Sequence, residues 1–130
     1  MLKTAGLLFG AVFLLLGILG FIPVVAPGGM LLGLFHINTA HNLVHLVTGV
    51  LGVAAGLAGT QAAKLYFEIF GVVYACIAFL GFAYGYNPLF GFLANNLADA
   101  WLHVLTAVIA LFFGFGWEPQ PRRSATGPPL

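Results

Sequence analysis

Ala5-Gly6-Leu7-Leu8-Phe9-Gly10-Ala11-Val12-Phe13-Leu14-Leu15-Leu16-Gly17-Ile18-Leu19-Gly20-Phe21-Ile22-Pro23-Val24-Val25 is an apolar stretch without one polar side chain. As a helix it is long enough to cross about 30 Å of hydrocarbon. Met1, Leu2 and Lys3 before it resemble the start of a secretory signal, but the run exceeds a typical h-region and Pro27 follows the one plausible cleavage residue, Ala26. A retained first span is expected. Three further apolar runs follow, Ala40 to Gly59, Leu65 to Ala83 and Leu97 to Phe115. The breaks fall at Pro23, Pro27, Gly28 and Gly29, at a tight turn over Thr60 to Ala63, and at Gly85, Tyr86, Asn87 and Pro88.

Composition agrees. Of 130 residues 62% are hydrophobic and 5% charged, far from the roughly one quarter charged of a soluble domain. A formal charge of +1 offers no basic surface for phosphate backbones, which excludes nucleic-acid binding. The single cysteine, Cys76, removes any disulfide framework or CxxC motif and reads as packing. Four spans use most of the chain, so residues 1–116 form one membrane domain and 117–130 a Pro-rich tail expected to be disordered.

Lys3, Lys64, Arg122 and Arg123 all fall on one side of such a four-span chain, and the connections 26 to 39 and 84 to 96 contain no lysine or arginine. The positive-inside rule then predicts N-in and C-in, with those two connections outside the cytoplasm. Tyr66, Tyr84, Tyr86, Trp101 and Trp117 near span ends read as interfacial residues, as does His36 beside Phe35.

The halves repeat. Lys3, Phe9, Gly10, Val12, Leu19, Gly20 and Phe21 recur 61 residues later as Lys64, Phe70, Gly71, Val73, Leu80, Gly81 and Phe82. Asn38, His45 and Thr48 recur 58 residues later as Asn96, His103 and Thr106, with His41 replaced by Asp99. Two repeats, about 1–59 and 62–116, each with two crossings, predict an all-α integral membrane four-helix bundle. It is built of two duplicated hairpins about a pseudo-two-fold axis along the membrane normal. Gly6 with Gly10, and Gly52 with Gly56, form GxxxG spacings read as close packing inside the monomer rather than a dimer face.

Polar residues concentrate at the starts of spans two and four: Asn38, His41, Asn42, His45 and Thr48, then Asn95, Asn96, Asp99, His103 and Thr106. His41 and His45, like Asp99 and His103, are four apart and share a helix face. Asn38 and Asn96 suit N-caps, and Asn96-x-x-Asp99 resembles a capping box. Capping leaves the deeper His45, His103, Thr48 and Thr106 unexplained. Three readings stand: a structural polar core; a metal site of His41, His45, Asp99 and His103, or a haem held by His45 and His103; and a proton or quinone-proximal relay. No GxSxG, HExxH, P-loop or dinucleotide fingerprint is present, so no enzymatic activity is assigned.

The stretch Gly33 to Gly49, with His41-Asn42-Leu43-Val44-His45 as its core, resembles the hallmark of a bacterial four-span family known as domain of unknown function 4383. Asn96, Asp99, Trp101, Leu102 and His103 are similar to its second hallmark, and the resemblance runs from about Ala5 to Phe115. It implies a bacterial integral membrane protein of undetermined activity. The sequence therefore favours a small inner-membrane protein acting as a structural or accessory subunit beside other membrane proteins. The alternatives are a metal- or haem-binding redox protein and a small proton or solute transporter.

Overall fold

The computed structural model describes residues 1–118; the expectation for the tail beyond Glu118 lies outside the described residues. Four helices follow one another: α1 (Leu2–Leu19), α2 (Thr39–Ala58), α3 (Thr60–Tyr84) and α4 (Leu97–Leu111), the last continued by a π-helical turn, Phe112–Gly116. Each, with α4 counted to Gly116, is long and apolar enough to cross a bilayer. Buried residues form a stripe on each helix, and exposed leucine, valine, isoleucine and phenylalanine cover the outside. A bundle in water would carry polar and charged residues on that outside.

The first helix ends before its apolar run does. α1 ends at Leu19, and Phe21 and Ile22 bond back to Ile18 and Leu19 in tightened turns. Pro23 explains the stop: it has no N–H for the carbonyl of Leu19, and it disfavours helical backbone at Ile22. The apolar residues beyond serve a connection. Val25, Ala26, Leu31, Phe35 and Ile37 pack with Leu16 and Leu19 into a small core of their own. That connection carries a two-stranded antiparallel ribbon, β1 (Met30–Leu31) paired with β2 (Phe35–His36).

The expected turn over Thr60 to Ala63 is instead the first turn of α3. Gly59 alone separates α2 from α3, at φ 135° and ψ 179°, a conformation all but restricted to glycine. A Cβ there would meet nothing within 4 Å, so the constraint is purely conformational. Gly59→Ala is expected to cost about 1–3 kcal/mol, measured by thermal unfolding in detergent micelles.

α1 packs along α2, and α3 along α4, through small residues. A Cβ on Gly10 would sit 2.5 Å from Val53 N and 2.7 Å from Gly49 O, and one on Gly6 3.3 Å from Gly56 Cα. Both GxxxG faces are thus used against each other inside the chain. Gly71 and Gly114 allow the equivalent approach of α3 to α4 and its π-helical end. Two rings from opposite hairpins, Phe13 and Tyr74, meet with centroids 5.3 Å apart in the bundle centre.

The two long connections have matching details. Leu32 and Gly33, φ 54° and 70°, turn the first; Phe90 and Gly91, φ 54° and 80°, turn the second. Such left-handed pairs make the mirror-image turns that close narrow hairpins. Leu89 bridges Leu93 across the second turn as Leu31 pairs with Phe35 across the first. Asn38 and Asn96 then start α2 and α4 with the same extended backbone, φ −146° and −145°.

Candidate functional site: a histidine cluster beneath an asparagine clasp

Each capping asparagine performs two tasks. Asn38 Oδ1 accepts from His41 N at 3.0 Å, and Asn96 Oδ1 from Asp99 N at 2.9 Å, satisfying donors left free at a helix start. Their amide nitrogens cross to the opposite connection: Asn38 Nδ2 donates to Phe92 O at 2.7 Å and Asn96 Nδ2 to Leu34 O at 2.8 Å. Phe92 stands 58 residues after Leu34, as Asn96 does after Asn38, so the clasp is reciprocal.

One turn on, His41 and Asp99 make the next pair of crossings. His41 Nδ1 bonds Ala94 O at 2.9 Å, and Asp99 Oδ2 accepts from His36 N at 3.1 Å. The same Oδ2 accepts from Asn96 N at 2.9 Å and completes the capping box expected from Asn96-x-x-Asp99. Ala94 again stands 58 after His36; a donor facing a carbonyl in one crossing becomes an acceptor facing an N–H in the other.

Below the clasp lie the deeper histidines. His41, His45 and His103 each offer one ring nitrogen, and these nitrogens lie within 4.8 Å of one another, all three residues buried. The His41 ring packs against His45 at 4.6 Å and His103 at 5.9 Å between centroids. Phe13 backs His45 at 5.4 Å and Tyr74 backs His103 at 5.5 Å. Nδ1 of His45 and Nδ1 of His103 are fully buried with no hydrogen-bond partner. Unpaired buried donors or acceptors cost about 1–3 kcal/mol each, so two at equivalent positions call for a function. His41 is set differently. A carbonyl only accepts, so Nδ1 carries the proton and the neutral ring presents a lone pair at Nε2.

Asp99, grouped by spacing with the three histidines as a ligand, stands outside their cluster. Its Oδ2 is occupied by two backbone N–H groups. Asp99→Asn, which keeps an acceptor oxygen, is expected to preserve metal affinity. Asp99→Ala is expected to lose about 1–2 kcal/mol of stability with the cap. Titration of both variants with Zn²⁺, alongside thermal unfolding, checks the pair.

Some of the remaining residues find different places from those expected. Tyr66 is buried rather than interfacial: its hydroxyl donates to Thr48 O at 2.9 Å. Tyr74, which no sequence motif singles out, shares a 3.1 Å hydrogen bond with Thr48 Oγ1. His36 is exposed, yet its backbone serves Asp99. Asn95 is buried and donates to Gly81 O at 3.1 Å and Gly85 O at 2.7 Å, tying α4 to the end of α3. Asn42 is buried against Gly20 with Oδ1 unpartnered. Cys76 is exposed rather than packed inside. Trp117 packs against the core cluster that includes Leu2 and Phe67, whereas Trp101, Tyr84 and Tyr86 are exposed.

Four helices, each long and apolar enough to cross a membrane and clasped at one end over a buried histidine cluster, define a small all-helical protein. The chain belongs to the family described as domain of unknown function (DUF4383), whose model matches residues 3–116. No curated protein and no solved structure matches it.

Proposed function

We propose that this chain is a membrane-embedded metal-binding protein in which His41, His45 and His103 hold one transition-metal ion. The observation that carries the reading is the approach of three buried ring nitrogens to within 4.8 Å of one another. A tetrahedral ion with Zn–N bonds of about 2.0–2.1 Å holds its nitrogens about 3.3 Å apart, a difference that modest rotations of three imidazoles close. The His41–Ala94 bond is the kind of outer contact that fixes the tautomer of a ligating histidine. An all-imidazole set suits Zn²⁺, Cu²⁺, Fe²⁺ or Ni²⁺, and three protein ligands leave a fourth position for water or a small ligand.

The surroundings fit a bilayer. With Lys3, Lys64, Arg122 and Arg123 on the cytoplasmic side, N-in and C-in, the cluster lies on the outer side of a bacterial inner membrane. The matching caps, turns and crossed asparagine bonds at a 58-residue offset support descent from a duplicated hairpin.

The competing readings find less support. A structural subunit would use its small-residue faces for a partner helix, and here those faces meet inside the chain. A transport route needs polar groups across the membrane. Among the described residues, the buried polar and charged side chains reach no deeper than Thr48 and Thr106, the tyrosine hydroxyls aside. For a haem between His45 and His103, His41, Phe13 and Tyr74 already pack against those rings.

Elemental analysis of protein purified from its native membrane without chelators tests the proposal. One equivalent of a transition metal per chain is expected. A chain that is metal-free and also fails to take up Zn²⁺ or Cu²⁺ contradicts it.

A further inference from the structure

The two hairpins differ at one seam. Between α2 and α3, Tyr66 and Tyr74 fill the space and bring their hydroxyls to Thr48. The corresponding residues facing Thr106 between α1 and α4, 61 positions earlier, are Ala5 and Phe13, which carry no hydroxyl and, at Ala5, no ring. There the helices stand apart around a cleft of about 470 Å³ whose floor includes Thr106, His45 and His103. His45 and His103 are 5% and 6% exposed, so an edge of each ring reaches the cleft while its unpartnered Nδ1 stays buried behind it. Leu8, Val12 and Leu105 at its walls are more than half exposed, so the cleft opens sideways through the apolar belt of the bundle.

We infer that the α1–α4 cleft binds a lipid-soluble molecule with a hydroxyl- or carbonyl-bearing six-membered ring and an apolar tail, the chemistry of a quinone or quinol. The ring occupies the place that Tyr66 takes at the other seam. Its oxygen meets Thr106 and the His45 and His103 edge, and its tail leaves between Val12 and Leu105. A straight-chain alcohol could meet the floor with its hydroxyl but would leave empty the ring-sized space that Tyr66 fills at the other seam, forfeiting the contacts of a close-packed ring. A water-soluble ligand has no route in, because the walls are apolar.

The inference shares His45 and His103 with the metal reading but does not depend on it, so the test uses chelator-treated protein. The full chain in lipid nanodiscs is titrated with a para-benzoquinone bearing a ten-carbon chain, against empty nanodiscs as blank and decanol as the ringless control. Saturable binding of one probe per chain is expected, much tighter than that of decanol. Thr106→Val is expected to weaken it about tenfold, the size of one lost hydrogen bond in a dry site. Val12→Trp blocks the mouth and should weaken it at least as much, while Val73→Trp, at the equivalent place on the closed seam, should leave it unchanged. Leu105→Trp supplies a second block from the opposite wall should Val12→Trp fold poorly. Equal affinity for quinone and decanol, or binding indifferent to Thr106→Val and to both blocking tryptophans, overturns the inference, whatever the metal content proves to be.

Discussion

Replacing His45 and His103 with leucine is expected to abolish high-affinity metal binding while making the metal-free protein more stable. Each substitution removes one of the three nitrogens that converge, and the pair leaves His41 alone. The loss of affinity should exceed the roughly 10- to 100-fold that follows from losing an outer-shell partner, because a ligand itself is gone. Stability should move the other way. Nδ1 of each ring is buried with no partner, so leucine breaks no bond at that atom and relieves about 1–3 kcal/mol of unsatisfied polarity per site. A histidine kept only to hold the core together gives the opposite sign, a fall in stability with no effect on metal. Zn²⁺ titration and thermal unfolding of the metal-free single and double variants, in the same detergent, separate the two.

Enlarging Gly10 is expected to be the most damaging small change in the helices. The added carbon of Gly10→Ala meets Val53 N, Gly49 O and the Gly52 carbonyl carbon at 2.5 to 2.9 Å, all of them backbone. No side chain can rotate away, so α1 must move from α2 and forfeit the close approach along the whole seam. Overpacking of an ordinary core costs about 1–3 kcal/mol, and a backbone obstacle places this change at or above the top of that range. Gly6→Ala is the graded comparison, since its nearest atom lies at 3.3 Å and a small shift accommodates it. Thermal unfolding should rank Gly10→Ala well below Gly6→Ala. An equal ranking would mean that the small-residue seam is not what joins the first two helices.

Helix number and approximate position were legible because a bilayer-length apolar run is a long, redundant signal. Ends were not. Hydropathy carried the first run through Val25 because Phe21, Ile22, Val24 and Val25 are apolar, although all four lie beyond the end of α1 and Val25 packs into the small core of the connection. Thr60 to Ala63 reads as a turn by composition, whereas Gly59 alone reverses the chain.

At the site, the four-residue spacing of His41 and His45 and the 58-residue offset of His45 and His103 pointed to three histidines whose ring nitrogens lie within 4.8 Å of one another. Spacing cannot say which atoms a side chain uses locally, and so Asp99 read as a ligand although its Oδ2 caps α4 and holds His36 N. Tyr74 was missed, and Tyr66 read as interfacial, for a recoverable reason. They lie eight apart on the stripe with Phe67, Gly71, Ala78 and Gly81 that α3 buries, and helical periodicity points to that stripe. The first Leu-Gly and second Phe-Gly turns likewise stand 58 apart, the same offset that separates Asn38 from Asn96, a signal for the clasp within the connections.

X-ray absorption of the metal-loaded protein tests the central claim most directly. The account predicts three imidazole nitrogens at about 2.0–2.1 Å around Zn²⁺, with the outer-ring scattering that marks histidine, and loss of that pattern in the His45→Leu, His103→Leu protein. A shell dominated by carboxylate or sulfur, or an unchanged spectrum in the double variant, would contradict it.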